Sequence, residues 1–263
     1  MLAQHPNIIT HSTGQWPYFL HDTNYQEEYK SYINTEFISS KPQSLRLVRD
    51  TSVAASEIAC ERLKELSPNV RLIVMLREPI SRAYSGYTFA KSKQYDIAET
   101  FEDELIEQDR FLDDISTYLV RNHVPLSMYY KTLIRLEKFF DSENIIILKS
   151  EDLRLNPIDV CNRIFNFLGL ESFSVTQCVT NVTRQARFPT LQRLTKTDNV
   201  FRKWSKLILP KSFIRTGLKI ISKANTSKKS FDGIPSDAKF YLKDILKDDI
   251  QKLKDKYNID YSQ

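Results

Sequence analysis

Glycine is scarce in this 263-residue chain: five residues, Gly14, Gly86, Gly169, Gly217 and Gly233, no two of them close together. That excludes collagen-like, Gly-rich linker and low-complexity classes, and no internal repeat is visible. Cysteine is scarcer. Cys60, Cys161 and Cys178 form no CxxC pair and leave one thiol over in any disulfide scheme, so they read as reduced core thiols. The four histidines offer neither HxxxH nor HExxH spacing, and no metal is expected. No GxxxxGK[ST] loop occurs, which argues against a nucleoside-triphosphate kinase. No run of about 18 apolar residues is present, so no membrane span is expected. The opening "MLAQHPNIITHS" lacks a basic n-region and an apolar h-region, which makes the cytoplasm the expected location.

What is present is an ordinary globular balance, 41% hydrophobic and 27% charged, enough for one sizeable core. A single domain over 1–263 is the expectation. The net charge of +5 is unevenly spread: 199–231 carries nine Lys or Arg and no acid, whereas 96–114 carries nine acids against one Arg. A basic face suits a phosphate-bearing partner, or is simply a solvated helix face. Within 201–224, Trp204, Leu207, Ile208, Phe213, Leu218 and Ile221 interleave with basic residues. This pattern fits peripheral membrane contact or, because Pro210 interrupts it, two short helices packed on the core. No motif points to nucleic acid.

Along the chain, 54–66 reads as an amphipathic helix with Ile58, Leu63 and Leu66 inward. Leu72 to Leu76 is a continuous aliphatic run, as in a strand buried on both faces. Pro79 suits the first turn of a helix that buries Ile80, Tyr84 and Tyr87. Leu126, Tyr129, Tyr130, Leu133 and Phe140 are spaced as a further helix, and 144–149 as a second buried strand. Asn156 and Pro157 open a helix with Ile158, Cys161, Ile164, Phe165 and Leu168 inward, closed by Gly169. The stretch 236–257 is a final amphipathic helix. Helices alternating with buried strands predict an α/β fold whose parallel sheet is covered on both faces. Ligands in such sheets bind beyond the carboxyl ends of the strands, where Arg77 stands.

Ser81, Ser85 and Thr88 share one face of the helix that starts at Pro79, opposite the packed residues. A guanidinium at the sheet edge beside such hydroxyls suits a phosphate, which takes bidentate charge-assisted bonds from Arg77 and a neutral one from Ser85. Arg82 adds charge nearby. The plainer reading is an arginine paired with a carboxylate and a serine bonded to its own helix.

"LIVMLREPISRAYSGY" resembles the 3′-phosphate-binding motif of the PAPS-dependent sulfotransferases of carbohydrate and bacterial type, with Arg77 and Ser85 eight residues apart on its two phosphate positions. "VRDTSVAA" and the block from "SMYYKTLIRL" to "FNFLGL" are similar to further family segments. "NVTRQARFPTLQRL" falls where the family has a basic loop over the nucleotide, which adds Arg184 and Arg187 as donor-binding candidates. The resemblance implies a three-layer α/β/α, P-loop NTPase-like sulfotransferase fold with a central parallel sheet. It also implies an enzyme that moves a sulfuryl group from 3′-phosphoadenosine-5′-phosphosulfate (PAPS) to a hydroxyl or amine, on a carbohydrate. Two features depart from the family. Its Lys-x-Gly-Thr loop and the strand before it are missing, so the protein begins upstream of Met1 or is a truncated, non-catalytic relative that keeps only the 3′-phosphate half-site. Where the family has a glutamate base, this chain reads "QWPYF", leaving the flanking His11 and His21 as candidate bases.

Overall fold

The computed structural model describes residues 1–10, 18–20, 25, 44–93, 95, 97–108, 122–176, 184–186, 226–230 and 233–262. In chain order the elements are β1 (Ile8–Thr10), β2 (Leu45–Leu47), α1 (Ser52–Ala55), α2 (Glu57–Leu66), β3 (Leu72–Leu76), α3 (Pro79–Lys93), α4 (Phe101–Gln108), α5 (Tyr129–Phe139), β4 (Ile145–Lys149), α6 (Ser150–Leu155), α7 (Pro157–Phe167), β5 (Arg184–Ala186), β6 (Thr226–Ser230) and α8 (Ser236–Tyr257). No described helix is long and apolar enough to cross a membrane.

The strands β3 and β4 pair in parallel, Leu72 opposite Ile145 through Leu76 opposite Lys149. Their side chains alternate between two covers, as the two-residue period of a strand requires. Leu72, Val74, Leu76, Ile145 and Ile147 pack with α2, α5 and the end of α8. Ile73, Ile146 and Leu148 pack on Val160 and Ile164 of α7. Helices therefore lie on both faces of the sheet, in three layers. The strands β1 and β2 form a second parallel pair, and β5 and β6 an antiparallel one.

One stop signal acts as sequence rules demand, and one start signal does not. Gly169 takes φ +71, and the Leu170 amide bonds to Phe165 O while the Gly169 amide bonds to Asn166 O, closing α7 in a Schellman turn. Asn156 stands at the N-cap of α7 but makes no side-chain cap bond. Two expectations need correction. The helix predicted over 54–66 is broken at Ser56, whose extended backbone (φ −135) ends α1 and whose hydroxyl accepts the Ala59 amide at 3.4 Å to start α2. That restart turns Ala59 and Cys60 inward and leaves Ile58 52% exposed. Ile158 is likewise 55% exposed, with Val160 buried instead.

The helix α8 ties the layers together. Its Leu242 and Leu246 meet Ile80, Tyr87 and Phe101 of α3 and α4, whereas Leu253 reaches the core under β3. Each fully buried leucine contributes about 1.5–3 kcal/mol. Buried Asp249, from the same helix, accepts the Tyr130 and Lys131 amides at 2.9 and 3.2 Å, capping α5 from outside its own sequence.

Candidate functional site

The carboxyl end of β3 runs straight into α3, and the turn between them is built so that no amide is left over. The Arg77 amide donates to the Tyr129 hydroxyl at 3.3 Å, and the Glu78 amide to Glu151 Oε1 at 3.3 Å. Pro79 has no N–H. The Ile80 and Ser81 amides donate to the Glu78 carboxylate at 3.0 and 2.7 Å, and the Arg82 amide bonds to Glu78 O at 2.9 Å. Glu78 thus caps α3 and places a negative charge at the positive end of its dipole.

This accounting has a chemical consequence. Phosphate sites at helix N-termini ordinarily use free backbone amides. Here those amides are occupied, so an anion at this edge must be held by side chains. Arg77 is half-buried, and its guanidinium makes no hydrogen bond or ion pair among the described residues. Ser85 lies two turns along α3 with its hydroxyl likewise unbonded among the described residues, while its carbonyl accepts the Thr88 hydroxyl at 3.1 Å. A permanently charged fork withdrawn partly from water without a counter-charge is costly unless a ligand completes it. The plainer reading of the pair, with Arg77 on a carboxylate and Ser85 bonded to its own helix, does not describe these two side chains.

Arg82, expected to add charge nearby, does stand close enough to this turn for its charge to act on the Tyr129 hydroxyl that takes the Arg77 amide, but its hydrogen bonds go to another segment. Its Nη1 donates to His123 O at 2.9 Å and to Asn122 O at 3.5 Å, and burial lowers its pKa. It pins the 122–127 segment to α3. Gly86 belongs to the same contact: a Cβ there would stand 2.8 Å from His123 Nδ1. Thr88 is buried, so of the hydroxyl face only Ser81 and Ser85 remain partly accessible.

Three residues of this edge were not singled out by sequence reasoning: Glu78, Tyr129 and Glu151. The readable signal was an acid placed just beyond each buried strand, Glu78 after β3 and Glu151 after β4. Tyr129 gave none, since it reads as one more apolar position of α5. Burial pushes its hydroxyl pKa up to about 12, so it is a neutral phenol that accepts the Arg77 amide.

Arg184 falls in β5, opposite Ser230 of β6, and β5 lies against α3, the helix that carries Ser85. Arg187, His11, His21 and the 201–224 stretch lie outside the described residues. Among the described residues no group of three His, Cys, Asp or Glu could hold a metal ion.

The structure defines an α/β class with a half-buried guanidinium at the carboxyl edge of its sheet, and comparison with known proteins makes that class specific. The sulfotransferase domain family matches residues 3–219, and the chain belongs to that family. Mouse heparan sulfate glucosamine 3-O-sulfotransferase 5 is 26% identical over 171 residues, 65% of this chain and 48% of its own length. The mouse bifunctional heparan sulfate N-deacetylase/N-sulfotransferase 4 is 27% identical over 178 residues, 64% of this chain and 20% of its length. The chain therefore spans less than half the length of these relatives. The crystal structure of a sulfotransferase from Alicyclobacillus acidocaldarius superposes with a TM-score of 0.68 at 14% identity, covering 98% of this chain and 89% of that one. This likeness bears out the expected α/β sulfotransferase fold.

Proposed function

We propose that the protein transfers a sulfuryl group from PAPS to a hydroxyl or amine of a carbohydrate, with Arg77 and Ser85 holding the donor's 3′-phosphate. The observation that carries this reading is the half-buried Arg77 guanidinium without a protein partner, at a turn whose amides are already occupied. A 3′-phosphate supplies the missing counter-charge with a geometry matched to the fork. Arg184 and Arg187 are the further donor-binding candidates of the reading. The family relatives are named for transfer to a sugar hydroxyl in one case and to nitrogen in the other, which supports a carbohydrate acceptor of either kind.

In the transfer, the acceptor's lone pair forms a bond to sulfur and the bond from sulfur to the 5′-phosphate oxygen breaks. The acceptor proton passes to a base, and adenosine 3′,5′-bisphosphate leaves. His11 and His21 are the candidates for that base. Isothermal titration with adenosine 3′,5′-bisphosphate tests the site, and transfer of labelled sulfate from PAPS to heparosan-type oligosaccharides tests the reaction. Saturable binding weakened by Ser85→Ala is expected. Binding without transfer would assign the chain to a nucleotide half-site alone. No binding at millimolar nucleotide would refute both.

A further inference from the structure

The carboxylate that takes the Glu78 amide belongs to neither β3 nor α3. Glu151 stands at the head of α6, just past β4, and its Oε1 gathers three donors: the Glu78 amide at 3.3 Å, the Ser150 hydroxyl at 3.2 Å and Arg154 Nη2 at 3.3 Å. One carboxylate oxygen thereby joins the two strand-to-helix turns at the carboxyl edge of the sheet. Among the described residues, the other side-chain hydrogen bonds to this turn's amides come from the Tyr129 hydroxyl and from the Glu78 carboxylate itself. Arg77 sits between these two anchors, its amide on Tyr129 and the next amide on Glu151.

The other oxygen of Glu151 is also informative. Glu151 Oε2 and the Tyr261 hydroxyl are both buried without a hydrogen bond of normal geometry, and they interact weakly with each other. Tyr261 comes from the segment after α8, where Lys254 pairs with Asp260 at 2.8 Å and Lys149 lies over the Tyr261 ring at 5.0 Å. Burial and then the charge of Glu151 push the Tyr261 pKa up, which places that hydroxyl in the field of the carboxylate. The C-terminal segment thus closes over the back of the same tie.

We propose that Glu151 is the positioning residue of the 3′-phosphate half-site: its carboxylate, reaching across from the β4 turn, sets the Glu78 amide and so the direction in which Arg77 leaves the sheet. Glu151 touches no nucleotide in this role. The proposal rests on the reading of Arg77 as the 3′-phosphate ligand, and it specifies that reach matters more than charge. A glutamine keeps the acceptor oxygen in place and offers its amide group to the Tyr261 hydroxyl. An aspartate keeps the charge but withdraws the oxygen by about 1.5 Å, too far for the Glu78 amide.

The test uses the full chain and two nucleotides, adenosine 3′,5′-bisphosphate and adenosine 5′-monophosphate, whose affinity ratio isolates the 3′-phosphate. Glu151→Ala and Glu151→Asp are expected to lower that ratio about tenfold, with 5′-monophosphate affinity unchanged, whereas Glu151→Gln keeps it within about threefold. A general loss of folding would lower both affinities together. A ratio preserved in the Asp variant, or lost as fully in the Gln variant, overturns the proposal. Hydrogen exchange of the 77–82 amides gives a second reading that needs no nucleotide: faster exchange in the Ala and Asp variants, wild-type exchange in Gln. Uniform exchange across all variants overturns it as well. If the wild type shows no preference for the 3′-phosphate, the functional reading fails, and the exchange data still judge the tie.

Discussion

Replacing Arg77 with alanine separates binding from stability. Because the guanidinium has no partner among the described residues, its removal breaks no internal bond and strands no buried group. The cost to folding should stay within about 0.5 kcal/mol, the range of surface substitutions that touch no special feature. The cost to binding is different in kind. A hydrogen bond to a charged group is worth about 1.5–3 kcal/mol, so losing a bidentate pair should cost roughly 3 kcal/mol, or about 100-fold in Kd. Arg77→Lys keeps the charge but not the fork, and roughly tenfold is expected. Titration with adenosine 3′,5′-bisphosphate beside thermal unfolding of the same samples reads both quantities. Unchanged affinity in Arg77→Ala would refute the assignment. So would a fall in Tm as large as a core truncation gives, because it would mean the guanidinium is bonded within the protein.

The remaining predictions concern what holds that edge in place. Asp249→Ala should cost about 2–3 kcal/mol in urea unfolding, because two amides of α5 lose their acceptor at a buried position; Asp249→Asn, which keeps one oxygen, should cost less. Equal stability in all three proteins would remove Asp249 as the cap. Gly86→Ala should destabilise by about 1–3 kcal/mol through overpacking against the buried His123 ring, and an unchanged Tm would show the approach to be looser than 2.8 Å. For pH, burial raises the Glu151 pKa, but donated bonds from its own amide, the Glu78 amide, Ser150 and Arg154 outweigh it and hold it below its ordinary 4.5. A depressed carboxylate contributes its stability in full above 4.5 and loses it as pH falls through the folded value. The Tm difference between wild type and Glu151→Gln should therefore shrink on acidification below 4.5, and a difference that widens there contradicts the tie.

How much of this was legible follows from the range of the interactions involved. Local rules carry the elements: the aliphatic run of β3, Pro79 opening α3, Gly169 closing α7 and the 236–257 periodicity of α8 are each decided within a few residues. The Arg77 and Ser85 pair was legible for the same reason, since a strand end and one helix face set their placement. The break at Ser56 was not, because Ser52, Val53 and Ala55 are held by tertiary packing that overrides a pattern continuous in sequence. The hydrogen bonds of Arg82 were not legible, because its partners, the 122 and 123 carbonyls, lie about forty residues away in the chain. Tyr129, Glu151, Asp249 and Tyr261 share that property. Each acts on an element it does not belong to, through bonds that exist only once the layers have packed. The sequence by itself determined which residue types stand at the strand end, and with them the family. Only the tertiary structure decided that every backbone donor of that turn is already engaged, so that the proposed 3′-phosphate contact falls to the side chains.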